Sequence, residues 1–167
     1  MPTLWMLVGV PASGKTTWLR NSDIDWNRTT LLSTDNIIER EAAALGKTYN
    51  EVFNQVIKLA TREMNQRLQK ALADNRDIVW DQTNLTPASR TSKLSKIPSH
   101  YHKVAVYFPV PDTKEWQRRL DSRPGKIIPQ HVLVNMGQGF TMPSQAEGFD
   151  KIIDGTQTHA NDINHQL

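Results

Sequence analysis

The chain contains no cysteine, which excludes disulfides and thiolate metal sites and suits a reducing compartment. It has no apolar run near the ~18 residues that a membrane-spanning helix needs, so no membrane partner is expected. No basic segment leads into a long apolar stretch at the N-terminus, so no secretory signal is expected there. Neither sign of charge dominates: 20 Lys+Arg against 17 Asp+Glu leave a formal charge of +3. A surplus that small permits a nucleic-acid partner without demanding one. Internal repeats and low-complexity linkers are also lacking. His100, His102 and His131 share no ligand spacing with acidic neighbours, which argues against a zinc site. What remains is a 167-residue chain, expected to form one domain over 1–167 with a polar tail from about residue 155.

The most specific pattern lies near the start. An apolar run, Leu4-Trp5-Met6-Leu7-Val8, is followed by Gly9-Val10-Pro11-Ala12-Ser13-Gly14-Lys15-Thr16, and Thr17-Trp18-Leu19-Arg20 can open a helix. Strand, glycine-rich turn and helix in that order are the context of a phosphate-binding P-loop. The glycines allow backbone angles at which successive N–H groups converge on one anion. Gly9, Pro11, Ala12, Ser13, Gly14, Lys15, Thr16 and Thr17 are therefore the expected nucleotide contacts. Lys15 supplies charge for the outer phosphates, and the Thr16 hydroxyl suits Mg²⁺. ATP and Mg²⁺ are the implied cofactors.

Further along, Thr29 to Ser33 predicts a second strand ending at Thr34-Asp35, and Asn36 to Leu45 predicts a helix stopped by Gly46. From Asn50 onward, Val52, Val56, Leu59, Ala60, Met64, Leu68, Ala71 and Leu72 recur at three- and four-residue steps, predicting a long helix with one core face. Lys58, Arg62, Glu63 and Arg67 between them fit a solvated face. Asp77 to Asp81 predicts a third strand, Pro87 the start of a helix carrying Arg90, and Lys103 to Phe108 a fourth strand. Helix resumes over Thr113 to Leu120, a turn falls at Arg123 to Lys126, and a short helix surrounds His131 to Met136. Trp18 and Trp80 fit the core, whereas Trp26 sits in a polar loop. Alternating strands and helices predict an α/β fold: a P-loop NTPase-type parallel sheet with helices on both faces and a small helical lid.

Phosphoryl transfer needs a phosphate cradle, a metal, a proton acceptor and cations around the transferred group. Asp35 and Asp81 both end strand candidates, where an open α/β sheet places its ligand crevice. One suits the proton acceptor and the other the metal, directly or through water. Arg118, Arg119, Arg123 and Lys126 form a basic cluster whose alternative is solvated pairing with Asp112, Glu115 and Asp121. Arg119 and Arg123 share a face if the helix runs that far.

Gly9 to Thr16, Ser33-Thr34-Asp35 and Trp80-Asp81-Gln82-Thr83-Asn84-Leu85 together resemble the polynucleotide 5′-hydroxyl kinase family, in particular the kinase part of phage polynucleotide kinase–phosphatases. The similarity continues through Arg119 to Pro129 and into Met142-Pro143 and Glu147-Gly148-Phe149-Asp150. The resemblance implies that Lys15 and Thr16 bind ATP phosphates and Mg²⁺, that Asp35 takes the proton of a 5′-hydroxyl, and that Asp81 supports the centre or the metal. It implies that Arg123 is the lid arginine on the phosphoryl group, with Arg119 beside it. Arg40, Thr83, Asn84 and Arg90 are then candidates for the acceptor side. One position departs from the family: Ile38 stands where an acceptor-gripping arginine is expected. The resemblance further implies a DNA or RNA 5′ end as substrate and a cytoplasmic place of action, in a host cell if the chain is phage-encoded. Oligomeric state stays open, a homo-oligomer included. Two other readings remain beside this one: a kinase of a small acceptor such as a nucleoside or sugar, and a non-catalytic nucleotide- or RNA-binding module.

Overall fold

The computed structural model describes residues 1–157. The fraying expected of the polar segment from Asn161 lies outside the described residues. Five strands form one sheet in the order β2-β3-β1-β4-β5. They are β1 (Thr3–Val8), β2 (Thr29–Leu32), β3 (Asp77–Asp81), β4 (His102–Tyr107) and β5 (Lys151–Asp154). Every pairing is parallel: β1 lies between β3 and β4, β2 is the edge beside β3, and β5 is the edge beside β4. All five carboxyl ends therefore open on one side of the sheet.

Strand β1 is buried throughout and apolar from Leu4 to Val8 because both its faces are covered, the usual state of a parallel sheet. Leu4, Met6 and Val8 point into one core with Trp80, Ile38, Val52 and Leu68, while Trp5 and Leu7 point into another with Trp18, Val104 and Phe108. Helix α1 (Lys15–Arg20) packs through Trp18 on the second face. Helices α2 (Thr34–Leu45), α3 (Tyr49–Ala73) and α4 (Pro87–Leu94) cover the first. Trp18 and Trp80 are core residues, as expected. Helices α5 (Thr113–Asp121) and α6 (Gln130–Gly139) follow β4 and form the lid.

Helix α3 buries Val52, Val56, Ala60, Met64, Leu68 and Ala71, the stripe its periodicity predicts. Leu59, expected on that stripe, is exposed instead, because Ala60 beside it takes the inward position. Two features that matter for the site differ from expectation, the placement of Asp35 and the strand β5. Ser33 is an N-cap whose hydroxyl accepts from the Asn36 N–H, so Asp35 belongs to the first turn of α2 rather than to a strand end. Helix α5 ends at Asp121, so Arg123 lies in the turn expected after it and shares no helical face with Arg119. Strand β5 is not expected from the sequence; among the described residues its four residues pair only with β4.

Candidate active site

The loop between β1 and α1 is folded as a cradle. Ala12 and Gly14 both take positive φ, 61° and 112°, the reversals that turn backbone N–H groups inward. Ala12 carries a Cβ in that region at a cost of about 1–3 kcal/mol, so the surroundings hold it there: its carbonyl accepts from Arg119, and that of Pro11 from the Trp116 indole. Gly9 has no room for a side chain, since a Cβ would lie 2.5 Å from Ser13 Oγ and 3.0 Å from Phe108 Cβ. Gly9 N–H also donates to the Thr83 carbonyl at 2.9 Å, tying the loop to the segment after β3.

Lys15 Nζ donates to the Gly9 carbonyl at 2.8 Å, so the ammonium lies along the cradle. Burial pulls its pKa below the usual lysine value, opposed by the charges of Asp81 and Asp35. Ser13 Oγ and Arg123 Nη1 are buried polar atoms without a partner among the described residues, and Arg123 acts electrostatically on Lys15. Orphaned donors, a cationic floor and a Gly9 position closed to any side chain fit a polyphosphate. The Thr16 hydroxyl and the Asp81 carboxylate are hard oxygen donors of the kind Mg²⁺ takes together with substrate phosphates. Beside the cradle lies a cavity of about 580 Å³, lined among others by Phe108, Arg118, Arg119, Gly155 and Thr156. That volume suits a nucleoside-sized ligand. Its Gly155 wall was missed in the sequence because β5 was missed.

The acceptor side is built around Asp35. Tyr49, the first residue of α3, donates its hydroxyl to Asp35 Oδ1 at 2.6 Å, and Lys126 of the lid turn donates to Oδ2 at 3.1 Å. Lys126 also reaches Glu39 at 3.1 Å and lies 4.6 Å from the Tyr49 ring centroid. Burial raises the Asp35 carboxyl, but the Tyr49 hydroxyl and the Lys126 charge outweigh it and hold the group below its ordinary value. Asp81 goes the other way, pushed up by burial against the pull of Lys15. The surroundings thus shift the two carboxylates in opposite directions, Asp35 down and Asp81 up.

Several acceptor candidates have other partners. Arg90 is fully buried, with Nε 2.5 Å from Glu147 Oε1 and Nη1 2.9 Å from the Asn84 carbonyl. It pins α4 to the 3₁₀ turn at Gln145–Glu147, so it is a structural cation and not an acceptor grip. Asn84, at φ 49°, donates to the Leu7 carbonyl at 2.8 Å and accepts from Lys93, which makes it a brace of β1. Arg40 is held by Glu63 and Glu41 on the helix surface. Ile38 is wholly buried in the core. Thr83 contributes its carbonyl to Gly9. Tyr49 and Lys126 were not singled out as acceptor residues by sequence, since neither lies within a motif that names a role.

A parallel sheet with a P-loop after β1 and a helical lid over its carboxyl edge is the P-loop kinase fold. The chain belongs to the AAA domain family, which matches residues 4–143. It is 26% identical over 159 residues to heterogeneous nuclear ribonucleoprotein U-like protein 2 of Mus musculus and 23% identical over 158 residues to that of Homo sapiens. Each match covers 90% of this chain but 21% of the relative, so the chain spans about a fifth of those proteins. Among solved structures, a protein of Chloroflexus aurantiacus j-10-fl matches with a TM-score of 0.68 at 18% identity, over 99% of this chain and 93% of that one. A chain of the Pnkp1/Rnl/Hen1 RNA repair complex matches with a TM-score of 0.62 at 20% identity, over 83% of this chain and 43% of that one. Shikimate kinase from Acinetobacter baumannii matches with a TM-score of 0.50 at 18% identity, over 99% and 90%.

Proposed function

We propose that the protein is an ATP-dependent polynucleotide 5′-kinase, transferring the γ-phosphate to the 5′-hydroxyl of a DNA or RNA end. The observation that carries this reading is Asp35, an ionised carboxylate held by Tyr49 and Lys126 and close enough to Lys15 for their charges to interact. The P-loop N–H groups and Lys15 hold the triphosphate. Asp35 accepts the proton as the hydroxyl oxygen bonds to the γ-phosphorus and the bond to the β,γ-bridging oxygen breaks, releasing ADP. Arg123, with an unpartnered Nη1, neutralises the transferred group. Thr16 and Asp81 would hold Mg²⁺, which supplies charge neutralisation on the β- and γ-phosphates when bound. Lys126, the lid cation that Asp35 and Glu39 share, stands on the acceptor side, whereas Arg40 and Arg90 pair with carboxylates away from Asp35. The resemblance to polynucleotide kinases, the fold shared with a chain of an RNA repair complex and the relatives named as ribonucleoproteins support a nucleic-acid acceptor.

A small acceptor is the second reading. It is favoured by Glu39, which shares the Lys126 ammonium with Asp35 and discourages a phosphate-bearing acceptor. The deciding assay is transfer of label from γ-labelled ATP to 5′-hydroxyl oligonucleotides in competition with nucleosides and sugars. Asp35→Asn is expected to lower transfer about 10²–10⁴-fold with ATP affinity retained. Near wild-type transfer by that variant overturns the base, and preference for a small acceptor overturns the substrate.

A further inference from the structure

The first turn of α3 touches the base and the lid at once. Its N-cap, Thr48, closes a reciprocal capping box with Glu51, so the turn is firmly built. Tyr49 bonds Asp35 directly. Asn50 grips the lid turn with both ends of its amide: Nδ2 donates to the Ile127 carbonyl at 2.8 Å, and the Ile127 N–H donates to Oδ1 at 3.0 Å. The Asn50 backbone N–H adds a bond to the Gly125 carbonyl at 3.2 Å. Between those anchors sits Lys126, its side chain only 13% exposed and its ammonium on Asp35. The two donors occupy different carboxylate oxygens. Each oxygen keeps a second lone pair, so the group retains capacity for a hydroxyl proton.

We propose that Tyr49 and Lys126 are positioning residues that fix the Asp35 carboxylate toward the acceptor hydroxyl, and that Asn50 brings Lys126 there by docking the lid turn. This rests on the reading of Asp35 as the proton acceptor. The groups facing Asp35 come from several elements: the Tyr49 hydroxyl on α3, the charges of Lys126 in the lid, Lys15 on α1 and Asp81 on β3, and Glu39 on α2 through the Lys126 ammonium it shares. Among the described residues, only Tyr49 and Lys126 bond its carboxylate directly. Arg123 lies three residues before Lys126, so one short segment of the lid carries both the donor-side and the acceptor-side cation.

The test uses Tyr49→Phe, Lys126→Met and Asn50→Ala in the full chain. The Asp35 carboxyl is titrated by ¹³C NMR without substrate, and kcat, KM and their pH profiles are measured with ATP and a 5′-hydroxyl oligonucleotide. Tyr49→Phe and Lys126→Met are each expected to raise the Asp35 midpoint, shift the acidic limb of the rate profile the same way, and lower kcat about tenfold. The KM for ATP is expected to stay within about twofold. Asn50→Ala is expected to reproduce the Lys126→Met shift and add little in the double variant. Lys126→Arg should retain the wild-type midpoint. An unmoved midpoint in both single variants, or a rate loss matched by lost ATP affinity with an unchanged profile, overturns the proposal. Absence of transfer to 5′ ends by the wild type overturns the substrate reading alone, since the titration reads the clamp without an acceptor.

Discussion

The Trp116 indole N–H donates to the Pro11 carbonyl at 2.8 Å, joining the lid helix to the phosphate loop across 105 positions. From the same helix, Arg119 donates to the neighbouring Ala12 carbonyl at 3.2 Å. The lid thereby braces the loop segment where Ala12 holds an unfavourable φ. Trp116→Phe keeps an aromatic side chain but removes the indole N–H, so ATP affinity is expected to fall about 3–10-fold with a smaller effect on melting temperature. Equilibrium nucleotide titration checks this.

Asp81 predicts an unusual stability profile. Its folded-state pKa is raised by burial, so the folded chain binds that proton more tightly than the unfolded chain. The contribution is favourable at low pH and is lost as pH rises through the unfolded and then the folded pKa. Asp81→Asn is therefore expected to match or exceed wild-type stability at neutral pH without nucleotide, the difference shrinking as pH falls toward 4. Paired denaturant melts at the two pH values measure it. Transfer activity should fall in the same variant.

Arg90 and Glu147 predict the opposite. Removing one partner strands a buried charge, so Arg90→Met or Glu147→Ala is expected to cost about 3–5 kcal/mol. Joint replacement by apolar residues should cost less than either single change. Double-mutant denaturation gives the answer, and the KM for ATP in whatever folds should be near normal.

Gly125 predicts a loss confined to the lid. It stands at φ 70°, and a Cβ there would lie 2.8 Å from Thr48 Cβ. Gly125→Ala must push the turn off α3, carrying Lys126 from Asp35. Acceptor turnover is expected to drop at least tenfold with global stability changed by about 1 kcal/mol. Steady-state kinetics beside a thermal melt separate the two effects.

Legibility followed the range of the interaction. The P-loop, strand β3 and the buried stripe of α3 were readable because backbone reversal, strand composition and helical periodicity are local properties. Strand β5 was not, since its four residues carry no period of their own and gain pairing only from β4. Asp35 was recognised as a candidate base but placed at a strand end, although Ser33 and Asn36 form a cap that moves it into a helix. Arg90 was read as an available cation because nothing near it in sequence neutralises it; Glu147, 57 residues on, does so.

The sequence alone determined the phosphate cradle, the alternating order of strands and helices, and the carboxylates that face the crevice, all set by neighbours a few residues apart. Which cation meets which carboxylate was decided by the tertiary structure. Side chains such as Tyr49, Lys126 and Arg90 can pair with many groups, and burial and distance in the folded chain select one.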